Sequence, residues 1–249
     1  MIYEGIFRRP RIKTNKILAK FSHHFKGDVI NVSGASDSDK QTNFWDYYFG
    51  DYDKGKRYKN YFKNCNSYTI SNYPRDKTEY SINEDEMIFL DLEEEIDSSL
   101  ENNFDVVFCH TVLEHVFDVF KAFQNLADLS NDIVIVVVPQ FQVIHDYRRG
   151  YRDYWRFTPF SLDKLFEKNG LEVIYRETTN GISESMYLFY VGSKRPEKWE
   201  DIFEKEIVPP KDYLNPKNDG SQYTQLSRLH IKFDFLVRMI LKKLKTFLK

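Results

Sequence analysis

The amino-acid sequence predicts an α/β fold: a doubly wound, seven-stranded, mostly parallel sheet with an antiparallel final strand, followed by a C-terminal amphipathic helix. Three observations lead there. Apolar, β-branched runs alternate with helical stretches from residue 28 to residue 193. The run Ile133–Val138 is apolar at every position, as expected of a strand covered by helices on both faces. The last two runs, Leu171–Arg176 and Met186–Gly192, are joined by a stretch without helical period, so they are expected to pair antiparallel.

The elements follow in order. Ile17, Leu18, Phe21 and Phe25 are spaced for a helix over Thr14–Phe25, ended by Gly27. Val29–Val32 reads as a buried strand that runs into four small residues, Ser33-Gly34-Ala35-Ser36. The aromatic and basic stretch 44–64 suggests two short helices. Strands are expected at Ser67–Ser71, Met87–Leu90 and Phe104–Cys109. The next helix would place Val116, Val119, Phe120, Phe123, Leu126 and Ala127 on one face. The most apolar strand, Asp132–Val138, is expected to end at Pro139. Thr158 as N-cap with Pro159 at the first helical position opens a further helix, with Leu162, Leu165 and Phe166 inward and Gly170 closing it. The organisation is therefore a helical lead-in (1–26), one Rossmann-like domain (27–193), a linker (194–225) with a short helix near Trp199–Lys205, and a basic helix (226–249).

The chain has 249 residues and a net charge of -2, which gives no general drive toward nucleic acid. The charge is unevenly placed. Residues 226–249 hold seven Lys or Arg and one Asp, so they carry +6 and leave -8 on the remainder. In that segment Leu226, Leu229, Phe233, Leu236, Val237, Ile240, Leu244, Phe247 and Leu248 share one face, opposite Arg228, Arg238, Lys242 and Lys249. Such a helix fits an anionic membrane surface, and equally fits docking on the domain or on a second subunit. Two isolated cysteines, Cys65 and Cys109, point to a reducing compartment. With no signal peptide or spanning segment in the sequence, a cytoplasmic location is expected, with peripheral attachment at the inner membrane surface through 226–249.

In a doubly wound sheet, ligands bind beyond the carboxyl ends of the strands, where strand order reverses. Asn31, Ser33 and Gly34 end the first strand, and small residues there let the backbone approach a nucleoside. Asn72 ends the second strand, and Asp91-Leu92 ends the third, where a carboxylate can accept from an adenine amino group. After the fourth comes Asp105-Val-Val-Phe-Cys-His110-Thr-Val-Leu-Glu114-His115-Val. Glu114 there could orient a loop or receive a substrate group, and His115 suits a cap or packing role. Farther on, Arg148, Arg149, Arg152 and Arg156 interleave with Tyr147, Tyr151, Tyr154 and Trp155. Arginines can grip phosphate and aromatic faces can stack on sugars or bases, so this loop is a candidate substrate surface. The same residues could instead pack a lid through cation–π contacts. Metal-ligand spacing and a Gly-x-Ser-x-Gly turn are both missing from the sequence, so no metal site and no serine hydrolase are expected.

The Phe104-Asp-Val-Val strand with its Val112-Leu-Glu-His115 turn resembles the corresponding motif of class I S-adenosylmethionine-dependent methyltransferases. The order of the Val29-Ile-Asn-Val-x-Gly and Asp91-Leu92 units agrees. The stretch from His145-Asp146-Tyr147 to Asp153-Tyr-Trp-Arg-Phe-Thr-Pro159 resembles a subgroup that often accompanies bacterial surface-glycan synthesis. The likeness spans about residues 27–193.

The resemblance implies an S-adenosylmethionine cofactor held by Asn31, Ser33, Gly34, Asn72, Asp91, Leu92 and His110. It implies O-methylation of a sugar, sugar phosphate or surface-glycan precursor, with Arg148, Arg152, Tyr154, Trp155 and Arg156 on the substrate side. A hydroxyl acceptor must lose its proton, and His145, with Asp146 beside it, is the candidate base. Two places depart from the family pattern. Asn31 stands where an acid is common, and the neutral Asn72 stands where Asp or Glu usually holds the ribose hydroxyls. The alternative is therefore a non-catalytic, methyltransferase-like binding or scaffold protein.

Overall fold

Seven strands form one sheet in the order β3-β2-β1-β4-β5-β7-β6. The computed structural model describes residues 3–34, 37, 57–73, 87–142, 144, 152–179 and 186–205. The strands are β1 (Gly27–Val32), β2 (Cys65–Asn72), β3 (Met87–Phe89), β4 (Phe104–His110), β5 (Ser130–Phe141), β6 (Glu172–Thr178) and β7 (Met186–Ser193). β7 runs antiparallel to both β5 and β6, while the pairs from β3 through β5 are parallel. The expected sheet is thus the one formed, with β7 inserted between β5 and β6.

The two sheet faces bury separate cores, and β5 supplies alternate residues to each. Val134, Val136 and Val138 meet α2 (Val119–Leu129) and α3 (Pro159–Lys168). Ile133, Ile135 and Val137 meet α1 (Tyr3–Phe21) and α4 (Glu200–Lys205). This is why the strand shows no polar alternation. The α1 helix lays Ile17, Leu18 and Phe21 on its face, and the Phe21 ring lies 5.2–5.8 Å from the rings of Phe25, Tyr175, Phe189 and Phe203.

Several boundaries differ from the sequence expectation, each for a physical reason. The α1 helix begins at Tyr3 rather than Thr14 and stops at Phe21, with Ser22–His24 tightening into a 3₁₀ turn. Gly27 opens β1 rather than closing a helix. Its φ is +86°, and a Cβ there would fall 2.0 Å from Asp105 Oδ2. That carboxylate accepts from Asp28 N (2.9 Å) and Asn131 Nδ2 (3.1 Å), so the Asp of Phe-Asp-Val-Val fastens strand beginnings, far from the ligand edge.

β5 runs through Pro139 to Phe141. The Pro139 carbonyl accepts from Phe157 N (3.2 Å), on the side that β4 has already left. The missing proline N–H therefore removes no ladder bond. The α2 helix starts at Val119 behind the Asp118 cap, whose carboxylate accepts from Lys121 N (3.0 Å). Val116 lies ahead of it, and Phe120 points outward with 59% exposure. The α3 helix has the expected Thr158 cap and inward Leu162, Leu165 and Phe166.

Within 44–64 the described part forms a single 3₁₀ turn, Tyr58–Asn60, and the remainder of that expectation (44–56) lies outside the described residues. The stretch after 193 is not a free linker at its start. Trp199 Nε1 donates to Asp132 Oδ2 (3.2 Å), and Phe203 is buried against Phe21. The expected helix over 226–249 lies outside the described residues.

Candidate functional site

Strand order reverses between β1 and β4, since β2 and β3 continue on one side of β1 and β4 and β5 on the other. The cleft beyond their carboxyl ends is where a doubly wound sheet takes a ligand. Register pairs Asn31 with Ile70, Val32 with Cys109 and Asn72 with Phe89, so these strands end together. Ser33 N donates to Ser71 Oγ and Gly34 N to Ser71 O, both at 3.1 Å, and Leu90 N donates to Asn72 O at 2.8 Å. The ends of β1, β2 and β3 are thereby tied into one rim, and the turn after β4 completes it.

The loop after β1 is tight. Ser33 has φ +53°, and a Cβ at Gly34 would fall 2.4 Å from Asn31 Nδ2, so only glycine fits against the Asn31 amide. Asn31 Nδ2 donates to Asp37 Oδ1 (2.9 Å), which also accepts from Tyr68 Oη (2.6 Å). Arg57 Nε donates to Asp37 Oδ2 at 3.0 Å. Asp37 is a buried carboxylate that holds the loop from behind, in a polar stretch that carries no sequence signal for it. Besides Asn31, its partners are twenty and thirty-one residues downstream, where no local pattern links them. Burial and the Asp37 charge push the Tyr68 hydroxyl well above the usual tyrosine range.

Asn72 is buried. Its Oδ1 accepts from Tyr73 N (2.9 Å), while Nδ2 has no hydrogen-bond partner among the described residues. Asp91 is half-buried and accepts from Glu93 N (3.0 Å) in a tight turn. Leu92 is buried, and its carbonyl accepts from Asn125 Nδ2 at 2.9 Å, which fixes the β3 end to α2.

His110 belongs to a different structure. Its Nε2 lies 3.1 Å from Thr14 Oγ1, and that hydroxyl donates to Arg11 O (2.9 Å). Its Nδ1 lies 3.2 Å from Thr111 Oγ1, which accepts from Arg11 Nη2 (2.8 Å). A hydroxyl that already donates to a carbonyl must accept from the ring, which sets a proton on Nε2 and leaves Nδ1 as acceptor. Burial first, then the Arg11 charge, hold the imidazole neutral, well below the usual histidine range. His110 thus pins α1 to the β4 end through Thr14 and Arg11. Sequence gives no signal for Arg11, because Thr111, which its guanidinium grips, is a hundred residues away.

The two segments that carry the sequence resemblance lock onto each other. Tyr154 N (2.7 Å) and Trp155 N (3.3 Å) both donate to Glu114 O. Trp155 Nε1 donates to Val116 O (2.9 Å) and Phe117 O (3.1 Å). The buried Asp153 carboxylate lies 3.1 Å from His115 Nδ1 and 2.5 Å from Arg156 Nη2. Arg156 also donates to Gln142 O (3.2 Å) and Trp155 O (2.7 Å). Trp155 and Arg156, expected on a substrate surface, therefore serve as fasteners. Arg152 and Tyr154 stay exposed, and Tyr154 meets the exposed Phe117 ring edge to face at 5.4 Å. His145, Asp146 and Arg148 lie outside the described residues.

Glu114 was only weakly marked by sequence. Its side chain is 1% exposed, and among the described residues Oε2 has no hydrogen-bond partner. Burial, reinforced by Asp153 and opposed by a hydrogen bond from its own backbone and by Arg156 and Arg11, raises its pKa to about 8. The same burial, with the Glu114 charge, pushes the Cys109 thiol far up. Tyr187 Oη donates to Gln142 Oε1 (3.1 Å), and burial pushes that hydroxyl up to about 12. Among the described residues, no group of three metal-ligating side chains comes together. No helix of these residues is long and apolar enough to cross a membrane.

No protein-family model matches the chain, and no curated protein matches it. Solved structures overlap it in part. A Burkholderia thailandensis 1,6-didemethyltoxoflavin-N1-methyltransferase, with 1,6-didemethyltoxoflavin and S-adenosylhomocysteine bound, is 15% identical over 75% of this chain and 79% of its own, with a TM-score of 0.46. The Synechocystis PCC 6803 magnesium protoporphyrin IX methyltransferase with S-adenosylmethionine is 11% identical over 75% and 79%, with a TM-score of 0.43. The fold itself is read from this chain's own strand order: an α/β, Rossmann-like sheet of seven strands with one antiparallel member.

Proposed function

We propose that the chain is an S-adenosylmethionine-dependent methyltransferase that methylates oxygen on a sugar, sugar phosphate or surface-glycan precursor. The observation that carries this is the convergence of the β1 loop, the β2 and β3 ends and the turn after β4 on one rim at the strand-order reversal. The chemistry of that rim fits an adenosyl ligand. Asn72 Nδ2, without a partner among the described residues, can donate to a ribose hydroxyl, and Asp91 can accept from an adenine amino group. Bound there, the cofactor would supply a methyl group already activated by a positive sulfur. The protein's own work is to hold an acceptor in line and to handle one proton. The sequence offers His145 for that proton, and the structure offers Glu114. For the acceptor, exposed Arg152 beside Tyr154 and Phe117 suits a phosphorylated sugar. The sugar assignment and a membrane-surface position through 226–249 rest on the sequence resemblance and the charge pattern.

One observation favours the non-catalytic alternative. Ser33 N and Gly34 N, the donors nearest an incoming ligand, are already spent on Ser71. Calorimetry with S-adenosylmethionine separates the two. Saturable binding is expected, weakened about ten-fold in Asp91→Ala by loss of one charged hydrogen bond. Absence of heat at millimolar cofactor would leave the scaffold reading.

A further inference from the structure

We propose that Glu114 is the acceptor-side base of this reaction, taking the proton from the hydroxyl that becomes methylated. The inference rests on the methyltransferase reading and assigns the proton to a residue within the described site.

The placement comes first. Glu114 lies in the turn after β4, on the far side of the strand-order reversal from the Asn72 and Asp91 rim. Its main chain is clamped by Tyr154 N and Trp155 N, so its side chain is presented from a fixed point. Groups from every surrounding element face it: Cys109 from β4, His115 from its own turn, Asp153 and Arg156 from the clamp, Arg11 from α1 and Tyr187 from β7. Buried carboxylates normally spend both oxygens on donors. Among the described residues Oε2 of Glu114 meets no donor, although two guanidinium groups are near enough to act on it. A buried acceptor without a donor, in the turn at the strand-order reversal, is a place for a ligand hydrogen.

The chemistry balances. The acceptor oxygen bonds the methyl carbon while the S–CH3 bond breaks, its electron pair staying on sulfur. The hydroxyl proton passes to Oε2. One positive sulfonium and one negative carboxylate become a neutral thioether and a neutral acid. Burial favours the protonated form of Glu114. A cation arriving in the next cleft favours the carboxylate, so the base is made ready by the group that reacts.

The test needs no knowledge of the acceptor. The carboxyl infrared band of Glu114 is titrated with S-adenosylmethionine bound and again with S-adenosylhomocysteine, which lacks the positive charge. Glu114→Gln, which keeps the shape of the protonated acid, should delete the band and assign it. Should that variant fail to fold, Glu114→Asp should displace the band. We expect the titration midpoint to fall by about one unit or more with the cationic ligand relative to the neutral one. A midpoint unchanged between the two, with both shown by calorimetry to bind, would remove Glu114 from the reaction while leaving the methyltransferase reading intact. Failure of both ligands to bind would overturn both proposals together. Affinity for S-adenosylhomocysteine should stay within about two-fold in Glu114→Gln, since the base meets the acceptor rather than the adenosyl group.

Discussion

Replacing Phe21 by alanine should lower the unfolding free energy by about 3–5 kcal/mol. The melting temperature should fall by on the order of 10 °C for a domain of this size. The Phe21 ring is fully buried and meets four aromatic rings from the segment after α1, β6, β7 and α4. Neighbours drawn from four places cannot all close on the space, so a cavity remains and its cost adds to the lost burial. The consequence reaches the site. The same helix carries Arg11 and Thr14 to Thr111 and His110. A loosened α1 should therefore release the β4 end as well, seen as faster amide exchange at Thr111, whose N–H donates to Val137 O at 2.7 Å. Thermal unfolding checks the first part, and a loss under two degrees would contradict this packing.

The second large effect is on pH dependence. The Glu114 pKa is raised from 4.5 to about 8, chiefly by burial. Between those values the folded chain holds a proton that the unfolded chain has released. Stability from this group is therefore complete below the unfolded pKa and falls as pH rises, by about 1.4 kcal/mol per unit, until it levels above the folded value. The full fall is up to about 5 kcal/mol. His110 acts in the opposite sense, since a neutral buried imidazole loses stability as pH falls below its unfolded pKa. Comparing wild type with Glu114→Gln isolates the carboxyl, because the amide does not titrate. The variant's melting temperature should rise relative to wild type from pH 5 to pH 8 and keep that lead beyond. Parallel curves would mean that Glu114 ionises in its ordinary range.

The sheet was legible in the sequence because burial is written locally. β5 reads as a central strand from its unbroken apolar run, and α3 announces itself through Thr158 and Pro159. The missing helical period between Glu177 and Ser185 foretold the antiparallel β7. What escaped was set by distant partners. The α1 helix runs through Pro10, a residue that reads as a helix breaker, and Arg11 is anchored by Thr111. Asp37 lies in a polar stretch that reads as a loop, yet it is buried among Asn31, Arg57 and Tyr68. Trp155 and Arg156 have the residue types of a sugar-binding surface, and only the fold shows that they fasten the Val112–His115 turn. A polar side chain looks the same in sequence whether it awaits a ligand or holds a neighbouring loop.

A structure of the full chain with S-adenosylhomocysteine is the most direct measurement. The ribose hydroxyls should lie within hydrogen-bond reach of Asn72 Nδ2, the adenine amino group at Asp91, and the sulfur on the β4 side facing Glu114. Density for the ligand elsewhere on the chain, or none at saturating concentration, would contradict an adenosyl site on this rim.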